Sequence, residues 1–188
     1  MSRLRELHPD EMTQQQREVY QAILTGPRGQ VAGPLAAWLY SPEFASRAQK
    51  LGEYCRYLSP LPGPLFELAI LVTAREWRAE YEWFSHASKA RTAGVPEAII
   101  EAIRTGQNPT FGRDDEQVVY DIAIALHRDR HLSDPLYARG CELLGEALLV
   151  DLVGTIGYYT LIAMTINAFK VMPPEGTQLA FGEEGALR

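Results

Sequence analysis

Apolar residues in this chain recur at three- and four-residue spacing between breaks made of proline and glycine. Nowhere do they alternate with polar residues over a useful length, so a half-buried sheet is excluded and helices must pack on helices. The fold class expected is therefore all-α, a helical bundle. Thr13 is placed to cap a first helix over 11–24, with Val19, Ile23 and Leu24 as its apolar stripe. The Gly- and Pro-rich stretch 25–34 is a loop. A short helix follows over 35–40. Ser41-Pro42 then opens a helix over 42–57 whose apolar stripe is read as Phe44, Ala48, Leu51 and Tyr54. The string SPLPGP breaks the chain at 59–64. The strongly apolar stretch 65–77 is a core helix, and its neighbour over 79–94 ends on a capping Gly94. Further helices are expected over 96–104, 114–128, 134–145 and 146–171, followed by an extended arm. The organisation expected is an N-terminal helix and loop extension over 1–34, a helical domain over 35–172, and a C-terminal arm over 173–188, with the arm wrapping a neighbouring copy.

A length of 188 residues suits one domain with such an extension. With 18 basic against 24 acidic residues the net charge is -6, which repels phosphate backbones, so no nucleic-acid partner is expected. Cys55 and Cys141 make no disulfide framework and fit a reduced, cytoplasmic setting. The opening MSRLRELHPDEM lacks a long apolar stretch, so no signal peptide is expected. The apolar run over 148–163 is interrupted by Asp151 and by small polar or glycine positions, and is read as something other than a membrane span.

The chemistry concentrates in FELAILVTAREWRAEYEWFSHASKARTAG, residues 66–94. Glu82 and His86 are four apart and share one helix face, with Trp83 adjoining His86. A carboxylate beside an imidazole raises the histidine's pKa and holds its tautomer, the arrangement of a general acid/base. The same spacing is also common on solvated helices, where it does nothing chemical. Glu67 separates the two readings. Its neighbours Phe66, Leu68, Ala69 and Ile70 are apolar, so it must face solvent or find a buried partner. A hydrogen bond to His86 would satisfy both groups.

With Glu67, the string Glu80-Tyr81-Glu82-Trp83 and His86 in view, the segment resembles the signature region of carboxymuconolactone decarboxylases and alkylhydroperoxidase-like proteins. The resemblance runs over about residues 40–172 and implies an alkylhydroperoxidase-like helical bundle that forms homo-oligomers, trimers or hexamers. In the peroxidase branch a Cys-x-x-Cys pair precedes the histidine; here those places hold Ala79 and Glu82. Dithiol peroxide reduction needs a thiolate and a resolving thiol, which alanine and glutamate cannot supply. The resemblance thus implies a cofactor-free decarboxylase or related lyase acting on a small carboxylated, lactone-like substrate. Glu67, Glu82 and His86 are the expected catalytic residues: Glu67 orients His86, His86 steadies the developing oxyanion, and Glu82 shuttles the proton, with the two carboxylates exchangeable. A thiol peroxidase and a catalytically silent helical oligomer are the competing readings.

Trp83, Arg75 and Tyr158 are the candidate substrate-binding residues: a wall, a carboxylate clamp and a hydroxyl. Each has an alternative in core packing or at the surface. His127 and His131 stand at a metal-ligand spacing but lack an evident third ligand, so no metal and no cofactor are expected. Asp114, Asp115 and Glu116 suit a helix N-terminus and need no further role.

Overall fold

The computed structural model describes residues 2–182. Nine α-helices and no strand occur among the described residues. Two compact units form: one from the chain up to Ser59 together with Thr165–Met172, the other from Pro60–Met164 together with the segment from Pro173 onward. The first division between them lies at Ser59/Pro60.

In the first unit, α1 (Gln14–Thr25) begins as its sequence requires. Thr13 Oγ1 accepts from the Gln16 backbone N–H at 3.3 Å, and Gln16 Oε1 accepts from the Thr13 N–H at 2.9 Å. This capping box satisfies two amides left over at the helix start, and a good cap contributes about 1 kcal/mol. The short α2 (Pro34–Trp38) buries Trp38, whose indole N–H donates to Thr165 Oγ1 at 2.9 Å.

The next helix departs from expectation twice. α3 (Pro42–Glu53) ends four residues early, and the chain continues as a wider π-helical turn over Tyr54–Leu58. Its buried face is Ala45, Ala48, Gln49 and Gly52, while Phe44, Leu51 and Tyr54 stand exposed. Small residues let neighbouring elements approach closely, and periodicity alone could not choose between the small face and the large one.

The second unit is built around α4 (Gly63–Glu76). Every residue from Leu65 to Ala74 is buried, because α5 (Glu80–Ala93), α6 (Glu97–Thr105) and α7 (Asp114–Arg128) all pack on it. A side chain such as Leu68, Ile70 or Leu71 contributes about 1.5–3 kcal/mol when removed from water this completely. The apolar surroundings of Glu67 thus belong to a helix covered on several sides, and its carboxylate is carried inward with them.

Trp77, Arg78 and Ala79 make the tight turn into α5. Ala79 N–H donates to Ala74 O at 2.8 Å, and Arg78 adopts a left-handed backbone with φ 48°. At the other end Gly94, at φ 100°, closes α5 as its sequence predicted, a conformation that lacks steric cost only for glycine.

α8 (Asp134–Leu144) starts on Ser133, whose hydroxyl accepts from the Leu136 N–H. α9 (Glu146–Phe169) is long and apolar enough to cross a membrane by length and composition, and Asp151 does not interrupt it. In this fold Leu149, Leu152, Ile156, Tyr159 and Ala163 are buried, while Val150, Val153 and Met164 are exposed.

The segment after α9 turns at Glu175-Gly176 and is docked. Ala180 and Phe181 bond to side chains of the second unit, described below. The rest of the expected arm, 183–188, lies outside the described residues.

Candidate active site

Two adjoining helices bring the three expected catalytic side chains together. Glu67 comes from α4, and Glu82 and His86 from α5. His86 Nδ1 lies 2.7 Å from Glu67 Oε2, and Nε2 lies 3.4 Å from Glu82 Oε1. The three residues are buried, with relative exposures of 7% for Glu67, 3% for Glu82 and 3% for His86. Neither a solvated helix pair nor an apolar filling matches this. Removing three ionisable groups from water is costly unless they satisfy one another.

The two contacts differ in kind. At 2.7 Å His86 Nδ1 and Glu67 Oε2 share a hydrogen bond, and Nε2 is turned toward Glu82. At 3.4 Å the Nε2 contact is longer than the one at Nδ1. Glu67 thus has the geometry of an orienting residue, and the other edge of the ring lies toward Glu82.

Aromatic rings fix the imidazole from the side. The Tyr159 ring meets His86 edge-on at 5.2 Å between centroids, with Phe66 at 5.7 Å and Tyr158 at 5.4 Å packed around Tyr159. The ring on His86 is that of Tyr159, and Tyr158, named from sequence as a candidate hydroxyl, packs edge-on against it. Both are buried, and a doublet of identical residues gives no periodic signal to tell which side faces a particular partner. Beside the cluster, the Tyr81 phenol on α5 is held above its usual pKa, first by burial and then by the nearby Glu82 charge.

Trp83 and Arg75 both meet the ring of Phe181. Trp83 is buried and meets the Phe181 ring edge-on at 5.3 Å. The Arg75 guanidinium lies 5.5 Å from the centroid of the same Phe181 ring and also crowds Gly106. Glu80, which the sequence gave no role, is buried and accepts from the backbone N–H groups of Phe181 and Ala180, each at 2.8 Å. Arg78 Nη2 donates to Phe181 O at 2.6 Å, and Arg104 Nη1 donates to Ala180 O at 3.0 Å. A separation of about a hundred residues hides these contacts from any local reading.

The second histidine pair does not converge. His127 Nε2 bonds to Thr73 Oγ1 at 3.0 Å, and His131 Nδ1 to Asp129 O at 2.9 Å. Burial lowers the His127 pKa, while Glu76 opposes that shift. Among the described residues no group of three histidine, cysteine, aspartate or glutamate side chains gathers around a point that could hold a metal. Neither cysteine is on α5: Cys55 lies in the π-helical turn and Cys141 on α8, both as free thiols.

The chain matches no protein-family profile and no curated protein. Solved structures resemble it closely in fold. One is the alkylhydroperoxidase AhpD core of an uncharacterized peroxidase-related protein from Ralstonia eutropha JMP134. It has a TM-score of 0.74 at 11% identity, with 99% of this chain and 97% of that one covered. Another, an uncharacterized peroxidase-related protein from Silicibacter sp. TM1040, has a TM-score of 0.74 at 14% identity and covers 93% of this chain and 92% of that one. The chain therefore has the all-α, alkylhydroperoxidase-like fold expected of it.

Proposed function

We propose that this chain is a cofactor-free lyase of the carboxymuconolactone decarboxylase type, acting on a small carboxylated, lactone-like molecule through Glu82 and His86. The observation that carries the reading is the asymmetric clasp on His86: tight to Glu67 at Nδ1, loose to Glu82 at Nε2, with all three groups buried.

The chemistry needs no electron sink from outside the substrate. When the bond to the carboxylate carbon breaks, carbon dioxide leaves. The electron pair delocalises through the adjacent double bond onto the lactone oxygen. An Nε2–H of His86 can hydrogen-bond that oxygen as charge develops on it, in surroundings from which water is largely excluded. One proton must then return to ring carbon, and Glu82, beside the same edge, is the group to deliver it. Glu67 keeps the imidazole in its orientation throughout. The absence of a thiol from α5 favours this reading over peroxide reduction, even though the structural neighbours are peroxidase-related proteins.

The test is turnover of a carboxylated, unsaturated γ-lactone. Wild-type protein should release carbon dioxide, and Glu82→Gln and His86→Ala should each lower kcat by about a hundredfold or more. Wild-type rates in both variants, or no turnover by the wild type, would remove the mechanism.

A homo-oligomer, trimeric or hexameric, belongs to the same proposal. It is supported by the exposed, uncharged face that Val150, Val153, Gly154, Gly157 and Met164 make along α9. Elution as a monomer in size-exclusion chromatography would contradict it. A reduced, cytoplasmic setting is proposed on the two free cysteines.

A further inference from the structure

The buried state of Glu67, Glu82 and His86 raises a question of access, since a substrate cannot reach an imidazole that is 3% exposed without something moving. Next to His86 on α5, one turn away, stands Trp83, and against Trp83 lies Phe181 of the C-terminal arm. The arm's attachment there has an unusual form. Both N–H groups of the Ala180-Phe181 pair go to one buried carboxylate, Glu80, and both carbonyls go to guanidinium groups, of Arg104 and Arg78. Charged side chains thus satisfy all four main-chain polar groups of a dipeptide. The aromatic ring sits between Trp83 and the Arg75 guanidinium.

Such a cradle recognises a bent backbone, with two successive N–H groups turned to one side, that carries an aromatic side chain. Hydrogen bonds from charged groups to main chain are among the stronger ones, yet water can replace each of them when the segment departs. A helix packed in the core has no comparable exit. Arg78 is also held at a positive φ, a strained conformation for a residue with a side chain, and strain of this kind often marks a functional position.

We propose that the cradle of Glu80, Arg78, Arg104 and Trp83 is a seat for a bent aromatic peptide segment, occupied by the chain's own Ala180-Phe181, and that departure of this strap frees Trp83 and opens the way to His86. The proposal deepens the function proposed above and rests on reading the His86 cluster as the reactive site. Its test reads accessibility and not turnover, so the two can fail separately.

The experiment uses the full chain in D2O, in three forms: wild type, Phe181→Ala and Glu80→Gln. Amide exchange of the 177–182 segment reports whether the strap is seated. Deuterium uptake at the imidazole C2 of His86 and of His127, resolved by mass spectrometry, reports access. Both variants should lose protection in the strap and raise the His86 rate by about tenfold, with Phe181→Leu falling between wild type and Phe181→Ala. The His127 rate should stay unchanged, since that residue bonds to Thr73 on the far helix pair. A strap that stays protected in both variants would overturn the seat. An unchanged His86 rate with the strap released would overturn the gate, as would equal acceleration at His127, which would mean general loosening.

Discussion

His86 and His127 stand on two different helices, α5 and α7, that pack against the same α4, and their surroundings make them opposite kinds of residue. His86 is almost wholly buried between the carboxylates of Glu67 and Glu82. His127 is only part-buried, meets the neutral hydroxyl of Thr73, and has its pKa lowered by the burial it does undergo. The two rings therefore differ in partner as well as in depth: His86 is held between carboxylates, whereas the hydroxyl beside His127 leaves desolvation to favour its neutral ring.

The comparison can be broken most forcefully at Glu67. Glu67→Leu removes one partner from a buried ionic cluster, so urea denaturation should show a loss of about 3–5 kcal/mol. A loss under about 1 kcal/mol would mean that His86 is as indifferent to its partner as a neutral ring. A smaller effect is expected at Thr73→Val, which keeps the shape and removes the hydroxyl from His127 Nε2. The same denaturation series should give a loss of about 0.5–1.5 kcal/mol for one hydrogen bond to a part-buried ring.

The mildest effect sharpens the comparison through pH. Because the His127 pKa is lowered on folding, the unfolded chain binds a proton there more readily than the native one does. Stability should therefore fall as pH drops below the ordinary histidine value of 6.5, until the folded-state pKa is passed. His127→Gln should flatten that part of the stability–pH curve by well under about 1.4 kcal/mol, the equivalent of one pKa unit. A slope equal to that of the wild type below 6.5 would show that His127 is not its source.

Much of this arrangement was legible in the residues. Thr13 with Gln16, Ser133, and Gly94 each satisfy a backbone requirement at a helix end using only neighbouring atoms, so the helix boundaries followed from local chemistry. Glu67 was legible for a different reason: a carboxylate among Phe66, Leu68, Ala69 and Ile70 needs a partner, and His86 on the next helix was the one at hand. What escaped depended on which surface meets a neighbour. α3 offered a large apolar face and a small one, and the small one was buried. Tyr158 and Tyr159 are chemically identical, and only the rotation of α9 decides that Tyr159 meets His86. The seat around Phe181 joins segments about a hundred residues apart, beyond the reach of any periodicity.

Arg78 sets local comfort of the chain against the hold on its tail. At φ 48° a glycine would rest more easily there than arginine, by about 1 kcal/mol. The guanidinium that grips the Phe181 carbonyl contributes more, about 1.5–3 kcal/mol for a charged donor, so Arg78→Gly would relax the turn and still lower heat tolerance. The turn before α5 is thus kept uncomfortable by the terminus it fastens.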